Sequence, residues 1–195
     1  MCLDGSATKP DWDLLFETAS VQVGYVTTRQ AAAAGYSSRL LLKHIRADRI
    51  ARMRRGLYRL VHFPVGEHEE VVTAWLWSER AGVVSHQTAL ALHGLSDALP
   101  AHVHLTLPCT WRTRRFRLPT GVVLHHADVS QGERAWFGAV PTTTPRRSLN
   151  DCAREHVSPD LLRQAAQQAI RRGLVTKAEL GDVDEALKPF GGLAA

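Results

Sequence analysis

Two short helical patterns separated by a glycine constrain the fold of this 195-residue chain more than any other feature. Residues 29–34 are rich in alanine, which favours a helix, and Thr28 is expected to cap it. Gly35 ends the pattern, because glycine readily adopts the positive φ of a helix C-terminus. Ser37 or Ser38 can cap a second helix over about residues 38–48. A short helix, a glycine-containing turn and a second helix form the pattern of a helix-turn-helix.

The second of these helices has an apolar side and a basic side. Leu41, Leu42 and Ile45 fall within one sector when the helix is wound at about 100° per residue. Arg39, Lys43 and Arg46 fall on the opposite side, and no acidic residue shares that face. A surface helix held by internal ion pairs would need acidic partners there, so this alternative is disfavoured. We expect the core of the motif to contain Leu41, Leu42, Ile45, Leu57 and Leu60.

A basic hairpin is predicted directly after the second helix. Residues 50–61 read as two short strands around a turn at Arg55 and Gly56, since side chains alternate with the period of a strand. The hairpin contains the arginines Arg52, Arg54, Arg55 and Arg59. A basic hairpin in this place is typical of the wing of a winged helix-turn-helix, which residues 24–62 are therefore predicted to form.

The positive charge is concentrated in this part of the chain. Residues 1–66 contain ten lysines and arginines and five acidic residues, whereas the remainder contains fourteen of each. Such asymmetry favours a polyanionic partner, because each basic side chain at a phosphate releases condensed counterions. Two alternatives remain: a solvated basic face, and a protein-interaction module whose basic patch meets an acidic partner.

These patterns predict a set of contacts to double-stranded DNA. Arg39, Lys43 and Arg46 are expected in the major groove, where arginine and lysine bind guanine edges. The wing residues Arg52, Arg54, Arg55 and Arg59 are expected at the backbone or the minor groove. Thr28, Ser37 and Ser38 can position the helices and donate hydrogen bonds to phosphates.

The remainder of the chain is predicted to form a second domain. Residues 64–66 mark the boundary, giving a DNA-binding domain over 1–66 and a mixed α/β domain with a small sheet and several helices over 67–195. The fold class is therefore α+β. Three widely spaced cysteines, no secretory signal and no apolar run of membrane length lead us to expect a cytoplasmic protein.

The second domain contains several residues that can carry chemistry. Six histidines lie between residues 86 and 126, and His102 and His104 share one face of a predicted strand, a geometry that can hold a metal. A closed site needs more ligands at defined spacing, so we predict no metal, no cofactor and no enzymatic activity. A small nuclease or metal-dependent hydrolase remains the alternative.

A second basic stretch lies between two predicted strands. Arg112, Arg114, Arg115 and Arg117 alternate there with Trp111 and Phe116. Arginines beside aromatic rings can stack on bases or bind phosphates, so this stretch is a candidate second contact to nucleic acid or to a partner. An exposed hairpin kept soluble by arginine is an equal alternative.

With these patterns in place, the chain resembles the AbiEi-type antitoxin family of bacterial type IV toxin–antitoxin (abortive infection) systems. The resemblance covers about residues 12–175 and is carried by segments 24–31, 52–60, 83–95, 102–108 and 140–149. It implies an N-terminal winged helix and a C-terminal α/β domain. It also implies a repressor of its own operon that counteracts a co-encoded nucleotidyltransferase-like toxin. Dimeric or cooperative binding to DNA is a further expectation.

Overall fold

The computed structural model describes residues 9–96 and 100–193 of the chain. The chain divides between Trp77 and Ser78 into two compact units, which are described separately. Both contain helices and a small sheet, which confirms the predicted α+β class. Among the described residues, no helix is long and apolar enough to cross a membrane.

The N-terminal unit combines helices with a three-stranded antiparallel sheet. Its elements are α1 (Trp12–Ser20), β1 (Tyr25–Thr27), α2 (Thr28–Ala33), α3 (Ser38–Arg46), β2 (Ile50–Arg54), β3 (Leu57–Leu60) and α4 (Glu69–Trp77). The strands lie in the order β1-β3-β2, so β3 is central. The helix pair α2–α3 followed by the β2–β3 hairpin is the arrangement that the sequence predicts for a winged helix-turn-helix.

The ends of α2 and α3 are fixed by side-chain caps. Thr27 caps α2: its Oγ1 accepts a hydrogen bond from the Gln30 amide at 3.2 Å, and the Gln30 side chain accepts one from the Thr27 amide at 2.9 Å. The cap is thus one residue before the predicted Thr28, which is the first helical residue. Ser37 caps α3 by accepting a hydrogen bond from the Leu40 amide at 3.3 Å.

The core of this unit differs from the prediction on α3. Leu41, Leu57 and Leu60 are buried as expected, and Ile45 is partly buried. Leu42, however, is 51% exposed, and the inward position is taken by His44, which is 7% exposed. The imidazole of His44 stacks on the Trp12 ring with 5.6 Å between centroids. The buried arc of α3 is therefore centred on Leu41 and His44, and the prediction that Leu42 is a core residue is wrong.

Helix α4 belongs to the N-terminal unit, whereas the sequence pattern predicted that the first domain ends at residue 66. Glu69, its first residue, accepts a 2.8 Å hydrogen bond from the Tyr25 hydroxyl and one from Arg59 at 3.3 Å. These bonds connect α4 to β1 and β3. A charge count along the chain cannot detect such contacts, because they join residues far apart in sequence.

The C-terminal unit is built around a five-stranded mixed sheet. Its elements are β4 (Val83–Val84), α5 (His86–Leu92), β5 (Val103–Leu107), β6 (Val122–His126), β7 (Arg134–Phe137), β8 (Val140–Thr143), α6 (Pro145–Arg154), α7 (Pro159–Arg171) and α8 (Gly181–Leu187). The strand order is β6-β5-β4-β8-β7. The pairs β5–β6 and β4–β8 are parallel, and the other two pairs are antiparallel.

Helices α5 to α8 contribute to a common apolar core. Leu90, Leu149, Leu162 and Val183 are among its buried residues. Helix α6 begins with Thr144 as cap and Pro145 in the first turn. Strands β7 and β8 are separated by a turn at Gly138 with φ of +56°.

Candidate functional site

One side of α3 is exposed and carries positive charge. Ser38, Arg39, Leu42, Lys43 and Arg46 are all exposed, and we call these residues the recognition face. No ion pair within the described residues involves the three cations of this face. Their charges are therefore free to meet an anionic partner.

Leu42 is the one apolar side chain of the recognition face. It follows Arg39 by three residues and precedes Arg46 by four, so it lies between them on the helix surface. Ser37, Leu40 and Leu42 line the same surface concavity as the three cations. An exposed leucine among cations suits a surface that contacts both phosphates and apolar groups such as the thymine methyl.

The β2–β3 hairpin carries three exposed arginines. Arg52, Arg54 and Arg55 project from β2 and the turn, and we call these residues the wing. The register of β2 against β3 shifts between Arg52 and Arg54, which indicates a bulge. The turn residue Gly56 has φ of +80°, and its carbonyl accepts a 2.9 Å hydrogen bond from the Thr28 amide. The wing turn is thus fixed to the first residue of α2.

Arg59, the fourth predicted wing contact, points elsewhere. Only 12% of its side chain is exposed, and its Nη2 donates to the Phe63 carbonyl at 2.9 Å and to the Glu69 carboxylate at 3.3 Å. It also lies over the Tyr25 ring at 5.8 Å. Because its guanidinium is used inside the unit, Arg59 does not belong to the exposed basic surface.

A buried aromatic cluster supports the recognition face from behind. His44 contacts Tyr36 edge-on with 5.3 Å between ring centroids, and it stacks on Trp12. The Arg49 guanidinium lies over the Trp12 ring, 5.7 Å from its centroid. Burial, together with the charges of Arg49 and Lys43, lowers the pKa of His44 below its ordinary value. The sequence pattern does not predict this cluster, because hydrophobic periodicity does not identify a histidine of a basic helix as a core residue.

The second basic stretch forms the connection between the parallel strands β5 and β6. Arg112, Arg114, Arg115 and Arg117 are all exposed there. The Arg114 guanidinium lies 4.0 Å from the Trp111 ring centroid, and Phe116 contacts the same ring at 6.2 Å. The connection is a crossover rather than a hairpin, since the two strands are parallel.

Three histidines meet on one face of the C-terminal sheet. In the parallel pairing, His125 of β6 lies opposite Thr106, which is two residues beyond His104 in β5. The side chains of His104 and His125 therefore lie on the same face of the sheet. His86, the first residue of α5, stacks on His125 with 3.6 Å between ring centroids. The pair that the sequence singled out is not the one assembled: His102 is exposed and precedes β5.

Burial keeps two of these imidazoles neutral near pH 7. Burial, with a smaller effect of the neighbouring His125, lowers the pKa of His86 to about 3 and that of His104 to about 4. His86 and His125 line a cleft of about 410 Å³ together with Arg112, Arg147 and Glu155. The charge of Arg147 is matched within the unit, since its guanidinium lies 2.8 Å from both the Glu133 and the Asp151 carboxylates.

Comparisons with known proteins give one similar solved structure and one family model that matches part of the N-terminal unit. Over 92% of its length the chain superposes on 76% of the RV2827C protein from Mycobacterium tuberculosis, with a TM-score of 0.53 and 16% identity. This likeness concerns the fold alone. No curated protein matches the chain. A family model described as "Transcriptional regulator, AbiEi antitoxin" matches residues 13–61, which contain α1 to β3. Over this part of the N-terminal unit, the chain is similar to AbiEi antitoxin transcriptional regulators.

Proposed function

We propose that this protein is a sequence-specific repressor that binds its own operator through the recognition face and the wing. The observation that carries the proposal is the pairing of two exposed basic surfaces on one motif, with the wing turn bonded to α2 at Thr28. In this arrangement α3 lies in a major groove and the wing follows the adjacent backbone or minor groove. Arg39, Lys43 and Arg46 contact base edges and phosphates.

The wing and the helix caps have separate roles in this complex. Arg52, Arg54 and Arg55 bind phosphates or enter a narrow minor groove, and Thr28 and Ser38 donate hydrogen bonds to phosphates. Ser37 already accepts from the Leu40 amide, so its main role is to hold α3 in place. Binding to two half-sites, as a dimer or cooperatively, would raise the affinity further.

The match of residues 13–61 to the AbiEi antitoxin family model leads us to propose the antitoxin role as well. The protein acts in the cytoplasm as the antitoxin of a type IV system, represses the operon that encodes it and counteracts a co-encoded nucleotidyltransferase-like toxin. It acts by binding rather than by catalysis. The crossover arginines Arg112, Arg114, Arg115 and Arg117 are exposed enough to supply a second contact to nucleic acid or to the toxin.

Fluorescence anisotropy on DNA tests the repressor proposal. The duplex upstream of the chain's own gene is compared with a scrambled duplex at several salt concentrations. We expect the native duplex to bind about 10³-fold more tightly or better, with a log–log salt slope of about −4 or steeper. Arg39→Ala should weaken binding, whereas Lys177→Ala, an exposed cation of the C-terminal unit, should not. Equal weak binding to both duplexes would refute the proposal.

A growth assay separates the antitoxin role from DNA binding. The neighbouring toxin gene is expressed together with the wild-type chain or with the Arg39→Ala variant, both from a promoter that the chain does not control. We expect both to restore growth, because toxin antagonism does not require the recognition face. Failure of the wild-type chain would contradict the antitoxin role and leave the DNA measurement unaffected.

A further inference from the structure

The three clustered histidines of the C-terminal unit have the arrangement of ligands around a metal ion. One ligand atom from each of His86, His104 and His125 lies within 4.8 Å of the other two. Nitrogens bound to one tetrahedral zinc lie about 3.3 Å apart, given Zn–N bonds of about 2.0–2.1 Å. Each nitrogen therefore has to move by less than about 1 Å to share one ion.

Hydrogen bonds on the outer side of two rings leave their inner nitrogens available. His125 Nδ1 donates to the Glu155 carboxylate at 3.1 Å, so Nε2 is the atom left for a metal. His86 Nδ1 is 2.9 Å from the Ser85 hydroxyl, so Nε2 is the nitrogen that this ring can offer to a metal. A carboxylate or hydroxyl behind a ligating histidine fixes the ring orientation and raises its basicity, and such partners accompany most metal-bound histidines.

His104 supplies the third ring of the cluster. His104 Nδ1 lies 3.0 Å from His125 Nε2, so the two nitrogens already face one point. Their separation is close to that of two ligands on one zinc ion, and an ion placed there would replace the N–H···N bond. His86 holds a left-handed backbone conformation with φ of +52°, which is strained for a non-glycine residue and brings its ring against His125.

We propose that His86, His104 and His125 form a binding site for one divalent transition-metal ion of the zinc type. Three imidazole ligands select zinc, cobalt or nickel over magnesium and calcium, which prefer oxygen ligands. His86 and His125 also line the cleft beside Arg112, from which water or a small anion can complete the coordination shell. Glu155 is a positioning residue that acts through His125.

Cobalt titration of the full chain, freed of metal by a chelator, tests this site. We expect one equivalent of Co²⁺ to produce the intense visible absorption of a four- or five-coordinate ion, and Zn²⁺ to displace it. His104→Ala should lower the affinity by about 100-fold or more, and Glu155→Gln by about 10- to 100-fold. His102→Ala is the matched control, because it removes an exposed imidazole two residues away and should leave the affinity unchanged.

Two results would overturn the proposal. One is the absence of stoichiometric cobalt binding by the wild-type chain. The other is unchanged binding in His104→Ala, which would place the metal at another site. If His104→Ala does not fold, as judged by circular dichroism, Glu155→Gln decides the matter, because the Glu155 side chain is half exposed and its loss should not unfold the unit. In that variant, wild-type affinity would contradict the site.

Discussion

The guanidinium of Arg59 lies 3.3 Å from the carboxylate of Glu69, and only 12% and 24% of the two side chains are exposed. This ion pair joins β3, the central strand of the three-stranded sheet, to the first residue of α4. An arginine within a basic hairpin thereby has a structural role, whereas its neighbours in the hairpin remain exposed.

Arg59→Ala should therefore destabilise the fold more than it weakens phosphate binding. Loss of the guanidinium removes the donor to the Phe63 carbonyl and the cation paired with the Glu69 carboxylate, which should cost about 1–3 kcal/mol in the free energy of unfolding. Chemical denaturation measures this cost. Arg55→Ala is the control: it should leave stability within about 0.5 kcal/mol and reduce the salt slope of DNA binding by about 1. The reverse pattern would return Arg59 to the DNA surface.

Leu42 and Leu41 should respond to truncation in opposite ways. Leu41→Ala removes a buried side chain and should cost about 2–5 kcal/mol of stability. Leu42→Ala should leave stability nearly unchanged but weaken operator binding about fourfold, because burial of one methyl group contributes about 0.8 kcal/mol. Replacing thymine by uracil at the contacted position should have the same effect, and the two changes together no further effect. Additive losses would argue against contact with a thymine methyl.

The adjacent serines Ser37 and Ser38 offer a second matched pair. Ser37→Ala removes the cap of α3 and should reduce the free energy of unfolding by about 1 kcal/mol, whereas Ser37→Gly should cost only a few tenths. Ser38→Ala should leave the thermal midpoint unchanged and weaken DNA binding in the proposed complex. A larger loss of stability in Ser38→Ala than in Ser37→Ala would show that the cap is misassigned.

The imidazole of His44 should titrate below its ordinary pKa of 6.5. Burial is the main cause, because it disfavours the charged form of the ring, and the charges of Arg49 and Lys43 lower the pKa in the same direction. A lowered pKa in the folded state means that His44 contributes stability above pH 6.5 and that this contribution is lost as the pH falls towards the folded value. Histidine ring shifts in NMR spectra measure the midpoint. Arg49→Gln should raise it, and a midpoint above 6.5 in the wild-type chain would contradict the burial of the ring.

Local signals predicted the helix pair α2–α3 and the β2–β3 hairpin well. The alanine run, Gly35 and the capping serine determine where α2 and α3 begin and end, and alternation along residues 50–61 predicts the hairpin. Hydrophobic periodicity failed on α3 for a physical reason: it assigns Leu42 to the core, whereas the flat ring of His44 fits against Trp12. An aromatic contact of this kind depends on a residue of another helix.

The non-local features could not be predicted from the sequence. Strand alternation places Arg59 among the wing cations, but its partner Glu69 comes ten residues later in another element. The histidine cluster draws on segments after β4 and within β5 and β6, and its geometry depends on the parallel pairing of β5 with β6. Sequence spacing pointed to His102 instead, because periodicity along one strand does not show which neighbouring strand lies alongside it.

The bond from the Thr28 amide to the Gly56 carbonyl joins backbone atoms only. The position of the hairpin turn relative to α2 is therefore independent of which side chains the hairpin carries. Residues 52, 54 and 55 can change over evolutionary time without loss of this bond, so under the proposed function relatives can acquire different operator preferences on the same scaffold. The same independence makes these three positions suitable for a randomised library that selects new target sequences.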